Sequence, residues 1–241
     1  MNPHQALPAF AVADPARRRW LAFLGAGTVA LALGQGRSAW AQSFEAFFTA
    51  VQRDDLSTLL LLDLRGFDLN TIDPRGQHAL HIALRVPSTK VAEYLAKHPR
   101  VNVDMRNPQD ETPLMLAVLK GQTPIARTLV GRDADINKTG WTPLHYAATY
   151  AGAQAPEQVS LLLEHHAYID AESPNGTTPL MMAAQYGSEA VVKLLLQEGA
   201  DARLTNQQKL SAMDFAQRAS RESMAELIAN HVRASQPRGK W

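Results

Sequence analysis

A six-residue pattern returns five times in this chain, and its interval constrains the fold more than any other feature. The copies are His78-Ala79-Leu80-His81-Ile82-Ala83, Thr112-Pro113-Leu114-Met115-Leu116-Ala117, Thr142-Pro143-Leu144-His145-Tyr146-Ala147, Thr178-Pro179-Leu180-Met181-Met182-Ala183 and Ser211-Ala212-Met213-Asp214-Phe215-Ala216. Their closing alanines are 34, 30, 36 and 33 residues apart. Such a period marks a stack of supersecondary units, none of which can bury its apolar face alone. The residue types build the unit. Thr112, Thr142 and Thr178 suit an N-cap, where a hydroxyl accepts from free helix amides. Pro113, Pro143 and Pro179 follow at N1, where a missing N–H costs nothing. Leu114, Leu144 and Leu180 open a buried face, and the register alanines let helices approach closely. A second helix follows in each unit, at 91–96, 125–130, 159–163 and 191–196, apolar on most sides as a helix covered on both flanks must be. Gly199 falls where a left-handed C-cap is wanted.

This pattern resembles the ankyrin repeat, whose period is near 33 and whose first helix opens with Thr-Pro-Leu-His-x-Ala. The resemblance runs from about Ser43 to Ala234. It implies an all-α fold, an ankyrin-repeat solenoid of about six helix pairs with short β-turn fingers, over a domain at 42–235. Four full repeats stand between two atypical caps, one at 44–64 and one at 211–232. In the last cap Arg218, Arg221, Glu222 and Arg233 are expected to face water, as a terminal repeat requires. Two irregularities interrupt the array. The connection Asn137-Lys138-Thr139-Gly140 is about three residues short, so its finger should be stunted. Ala151 to Pro156 lengthens the loop between helices of the same repeat by about three. Both departures are open to two readings, drift in tolerant loops or a shape made for a partner.

The first 41 residues read as an address. Arg17-Arg18-Arg19 precedes the short apolar stretch from Trp20 to Leu33, and Ala39-Trp40-Ala41 offers a small-x-small cleavage site before Gln42. Fourteen residues are fewer than the roughly 20 a helix needs to span a bilayer. Arg17-Arg18-Arg19-Trp20-Leu21 resembles the twin-arginine export motif, with Ala16 and Ala22 departing from it, so Sec export also stays open. The expectation is a bacterial chain with a signal peptide at 1–41, a periplasmic or secreted product, no membrane insertion after cleavage, and a flexible C-terminal tail at 236–241. The formal net charge is +1, and the four arginines before residue 42 account for the excess. What remains is weakly acidic, which argues against nucleic acid as a partner.

Catalytic chemistry finds little support. No cysteine is present, so disulfides, thiolate metal sites and cysteine nucleophiles are excluded. His81 and His145 sit where the ankyrin family uses an imidazole to brace the next loop. His165 and His166 are adjacent, and His166 occupies a C-cap position, so neither has metal-ligand spacing. No Gly-x-Ser-x-Gly elbow or phosphate-cradling glycine loop occurs. The chain is read as no enzyme, with no cofactor and no metal.

The family resemblance implies a partner on the concave face, made from the fingers and the outer positions of each first helix. Repeat by repeat, these positions give Arg75, Arg85, Glu111, Lys120, Trp141, Tyr150, Gln185 and Tyr186 as partner-binding candidates. Trp141, Tyr150 and Tyr186 are expected at the centre, with Tyr150 beside Tyr186 because they share a repeat position. Exposed aromatics in such a place are frequent hot spots. The functional expectation is a monomeric protein-binding module, an exported scaffold or adaptor for one protein. The alternative is an inhibitor or immunity-type protein that blocks an exported enzyme or toxin.

Overall fold

The computed structural model describes residues 30–86 and 89–235, with side chains from residue 39 onward. Contacts divide the chain into two units, Met1–Gln42 and Ser43–Trp241. In the first, residues 30–42 are helical, and Ala39, Trp40 and Ala41 are exposed. The arginine run, the apolar stretch before residue 30 and the tail from residue 236 lie outside the described residues. Among the described residues no helix is long and apolar enough to cross a membrane.

The described chain forms twelve helices in six pairs. These are α1 (Ala30–Arg53) with α2 (Leu56–Leu64), α3 (Ala79–Arg85) with α4 (Lys90–Lys97), and α5 (Pro113–Leu119) with α6 (Thr123–Val130). They continue as α7 (Pro143–Thr149) with α8 (Ala155–Glu164), α9 (Pro179–Tyr186) with α10 (Glu189–Gln197), and α11 (Ala212–Arg218) with α12 (Glu222–Ala234). Within the second unit, α3, α5, α7, α9 and α11 pack one on the next, and so do α2, α4, α6, α8 and α10. The fold is the all-α solenoid expected, with isolated bridges Ile72–His78 and Thr205–Ser211 at the base of two fingers. The sequence placed the first helix from Phe44; the described helix already runs from Ala30 to Arg53, with no proline within it to break it.

Reciprocal capping fixes where four of the first helices begin. The hydroxyls of Thr112, Thr142, Thr178 and Ser211 accept the amide three residues on, while that residue's side chain accepts the cap's own amide. The reciprocal acceptors differ: Met115 Sδ, His145 Nδ1, Met181 Sδ and Asp214 Oδ2. Beyond the caps, Leu114, Leu144 and Leu180 are fully buried, each worth roughly 1.5–3 kcal/mol of burial. At several helix ends the residue after the C-cap adopts the left-handed backbone, among them Gly199 at φ 98° without strain and His166 at φ 66° at some cost.

Long donors stitch each repeat to the one before. Arg132 donates to the carbonyls of Ala96 and Val101 at 2.8 Å. Arg221 donates to Ala184 O at 2.9 Å and Gly187 O at 2.6 Å. This corrects the expectation that Arg221 faces water, since a helix end presents unpaired carbonyls that a guanidinium fork satisfies.

Candidate functional site

The third repeat carries the departure that shapes the concave face. In the full fingers, the amides of Asp73, Asn107, Ser173 and Asn206 donate to the carbonyls of Gln77, Glu111, Thr177 and Leu210, closing each turn. The side chains of the same four residues accept amides at the finger tip. In repeat three that position is taken by Asn137, which is engaged elsewhere: its amide nitrogen donates to His166 O and its oxygen accepts Tyr168 N–H, both at 2.8 Å. Three residues are missing, and the finger is stunted as the sequence led one to expect. Lys138 replaces the lost closure. Its ammonium donates to Thr139 O at 3.0 Å and Trp141 O at 3.4 Å, and pairs with Asp110 of the preceding finger. Only 1% of this lysine is exposed. The Lys138 hydrogen bond in turn holds the Asp110 carboxyl below the usual carboxylate range.

Trp141 follows the stunted finger, half-buried and edge-on to His145 with ring centroids 5.2 Å apart. The indole separates two depressions. The first, ≈ 220 Å³, is lined by Leu119, Trp141, His145, Tyr146, Thr149 and Met182. The second, ≈ 290 Å³, lies between Trp141 and the following repeats, with Met182, Gln185, Tyr186, Phe215 and Arg218 in its wall and Asn175 and Gln208 at its finger side.

The polar groups beneath the first depression are turned inward. His145 Nδ1 accepts the Thr142 amide at 3.1 Å, so Nε2 carries the proton and donates to Thr177 O at 2.9 Å. Burial pushes this imidazole down to about 4. Tyr146 donates to Glu111 Oε1 at 3.2 Å, and burial together with the Glu111 charge pushes its hydroxyl up to about 12. His81 Nε2 contacts Glu111 O at 2.9 Å in the same bracing role. Among the described residues no group of three or more His, Asp or Glu side chains is placed to hold a metal ion.

The eight residues singled out from sequence separate into four groups. Trp141, Gln185 and Tyr186 line the second depression, with Tyr186 53% exposed. Arg85 and Glu111 face each other at 2.9 Å, and Glu111 also accepts from Asn107 at 2.7 Å, so these two charges are neutralised within the face. Lys120 and Arg75 are exposed, one beside Leu119 and one at the first finger tip. Tyr150 departs from its expected place beside Tyr186. Its ring lies over Gly121 and Gly152, where an added Cβ would meet the hydroxyl at 2.3 and 2.2 Å, and it donates to Gln154. The lengthened loop after α7 lets the chain turn at Tyr150, so this ring packs on the preceding interhelix loop and lines neither depression.

Sequence reasoning missed Leu119, Tyr146, Met182, Phe215 and Arg218 as lining residues. A register signal existed for each. Leu119 and Arg218 stand seven residues after their caps, as do Arg85 and Gln185; Tyr146, Met182 and Phe215 stand four after theirs.

Comparison with known proteins agrees with this architecture. A family model described as ankyrin repeats (3 copies) matches residues 47–139, 100–173, 133–206 and 150–237. The mouse nuclear factor NF-kappa-B p105 subunit is 32% identical over 155 residues, 62% of this chain and 16% of that protein. Human rabankyrin-5 is 27% identical over 141 residues, 56% of this chain and 12% of that protein. The chain therefore spans about a sixth or less of these curated relatives. Among solved structures, a chain from the complex of the predatory endopeptidase Bd0816 of Bdellovibrio bacteriovorus with the immunity protein Bd3460 superimposes with TM-score 0.65 at 25% identity. That match covers 77% of this chain and 97% of the other.

Proposed function

Because the chain belongs to the ankyrin-repeat family, we propose that it is an exported binding module that docks one protein partner on its concave face. The observation that carries this reading is the pair of depressions on either side of Trp141. They sit where a stunted finger leaves an aromatic accessible, and the polar groups beneath the first of them are already satisfied from within. A face of this kind has desolvatable carbon at its centre and hydrogen-bonding groups at its rim, the anatomy of a protein interface. Export rests on the arginine run, short apolar stretch and small-x-small site of the first 41 residues, which also support a periplasmic or secreted, bacterial product. The working form is a monomer, since the concave face is reserved for another protein.

A second reading has a specific observation in its favour. The solved chain that this one resembles over 97% of its length comes from an endopeptidase–immunity protein complex. On that reading the module is an inhibitor or immunity-type protein that protects against one exported enzyme. Both readings agree on the face and differ on the partner.

The test is a pull-down from envelope and periplasmic fractions of the host with a C-terminally tagged full chain as bait. A protein retained by the wild type and lost by a Trp141→Ala/Tyr186→Ala double variant supports the concave-face reading. Retention unchanged by a folded double variant sinks it. If the retained protein is a hydrolase whose rate falls on adding the module, the inhibitor reading stands; a partner with no such activity removes it. N-terminal sequencing of the purified product checks export, with Gln42 as the expected first residue.

A further inference from the structure

The two depressions beside Trp141 differ in chemistry, and the difference specifies what can fill them. The first presents mostly carbon to the occupant. His145 has both ring nitrogens engaged, and Tyr146 has its hydroxyl tied to Glu111. The second ends at Arg218, which is exposed and forms no salt bridge among the described residues, although its charge is felt by Asp214 one turn back on α11. Its neighbour Asp214 is committed to capping, accepting the Ser211 amide at 2.7 Å and the Ser211 hydroxyl at 2.6 Å. No Asp or Glu lines either depression. The acids nearest in the array are spent as well, Glu111 on Arg85 and Asp110 on Lys138 and Arg106. Lys120, next to Leu119 at the edge of the apolar slot, is also exposed and without an ion pair among the described residues. The one charged side chain that lines either depression is therefore a cation, although the chain beyond residue 41 is weakly acidic overall.

We infer that the face reads a two-part element: a partner loop presenting one large apolar side chain beside a carboxylate from Asp or Glu. The apolar group enters the slot between Tyr146 and Met182. The carboxylate crosses the Trp141 indole and meets the Arg218 guanidinium, with Gln185 and Gln208 able to donate to its remaining oxygen. This inference rests on the concave-face reading above and adds the chemistry of the occupant. A loop bearing Lys or Arg at the second site would place like charges together in a partly desolvated pocket, which disfavours it. A nucleic-acid phosphate would satisfy Arg218 but would leave the apolar slot unfilled.

The experiment selects short random peptides displayed on phage against the immobilised full-length chain, then measures the affinity of a synthetic copy of the winner. The expected consensus pairs Leu, Ile, Phe or Trp with Asp or Glu. Trp141→Ala should weaken the peptide about thirty-fold or more, as loss of a central aromatic anchor does. Arg218→Glu should weaken it about tenfold, with the loss shrinking at high salt. A peptide with its acid changed to Lys should bind Arg218→Glu better than the wild type does, a rescue that a merely structural arginine would not give. Thermal melts of both variants confirm folding, which is expected because Arg218 is exposed. A consensus without an acid, binding indifferent to Arg218→Glu, absence of the charge-swap rescue, or no enriched peptide would each overturn the inference. If the host partner needs Trp141 and Tyr186 yet binds Arg218→Glu normally, this inference fails while the concave-face reading stands. If peptides obey the consensus while a captured host partner ignores Trp141 and Tyr186, the concave-face reading fails and the pocket chemistry stands.

Discussion

Repeats three and four open with the same Thr-Pro-Leu and bury the same leucine, yet their fingers are closed by different physics. Repeat four closes with a backbone bond from Ser173 to Thr177 and a serine hydroxyl that accepts the Thr177 amide. Repeat three has no room for that turn and closes with the ammonium of a buried lysine on Trp141 O. The array tolerates losing a finger because one flexible side chain can deliver a proton donor where a backbone amide used to be. What the exchange leaves behind is an accessible indole between two repeats with full fingers. Repeat three also uses His145 where its neighbours use Met115 and Met181 to receive the cap amide. Its eighth residue after the cap, Tyr150, folds onto a loop where Tyr186 of repeat four stays on the surface.

The largest effect should come from the histidine difference, and it appears with pH. His145 is held at about 4, below its ordinary 6.5, so the folded state prefers the neutral ring. A depressed histidine adds stability above its unfolded value, and that stability is lost as pH falls through the window from 6.5 toward 4. The displacement corresponds to about 3 kcal/mol by the lower end. His145→Met, which copies repeats two and four, should flatten this part of the stability–pH curve in denaturant titrations at several pH values. His78, also pushed down to about 4 by burial, and His81, lowered by the same cause, should remain as the residual acid-labile step. Equal slopes for wild type and variant would mean that the ring is protonated within the fold.

A smaller effect is expected at the finger itself. Lys138→Met keeps the aliphatic stem but removes the donor from Trp141 O and Thr139 O and the charge beside Asp110. About 2 kcal/mol should be lost at neutral pH, in the range for hydrogen bonds from a charged group. Asp110 should then titrate nearer its ordinary range, which NMR would read directly. Undiminished stability would show that the short turn holds without its lysine.

The smallest difference separates the tyrosines. Tyr150→Ala should cost about 1 kcal/mol, because it uncovers Gly121 and Gly152 in two successive interhelix loops, and should leave partner affinity unchanged. Tyr186→Ala should leave the melting midpoint nearly unchanged and lower partner affinity instead. The opposite pairing of effects would put Tyr150, not Tyr186, on the binding surface.

Repeat period, helix pairs, caps and the stunted finger were all legible in the chain. Each depends on local chemistry that recurs at fixed spacing: a hydroxyl and a proline at a helix start, a leucine facing inward, a residue count too short for a turn. The bracing roles of His81 and His145 were expected from the family resemblance, and the structure places both rings on the next finger's carbonyl. The site was legible only as a set of register positions. Trp141, Gln185 and Tyr186 were found that way, and Arg218 shares the Gln185 register. Register says which face a residue occupies but not which way a side chain turns once a loop changes length, and so Tyr150 was misplaced. Nor does it say which charges are already satisfied. The Arg85–Glu111 and Lys138–Asp110 pairs join residues 26 and 28 positions apart, and the Arg221 cap reaches back across a whole repeat. Sequence alone determined the array, because its units repeat through local interactions. Only the tertiary structure decided the surface, because neutralisation and pocket shape arise where one repeat meets the next.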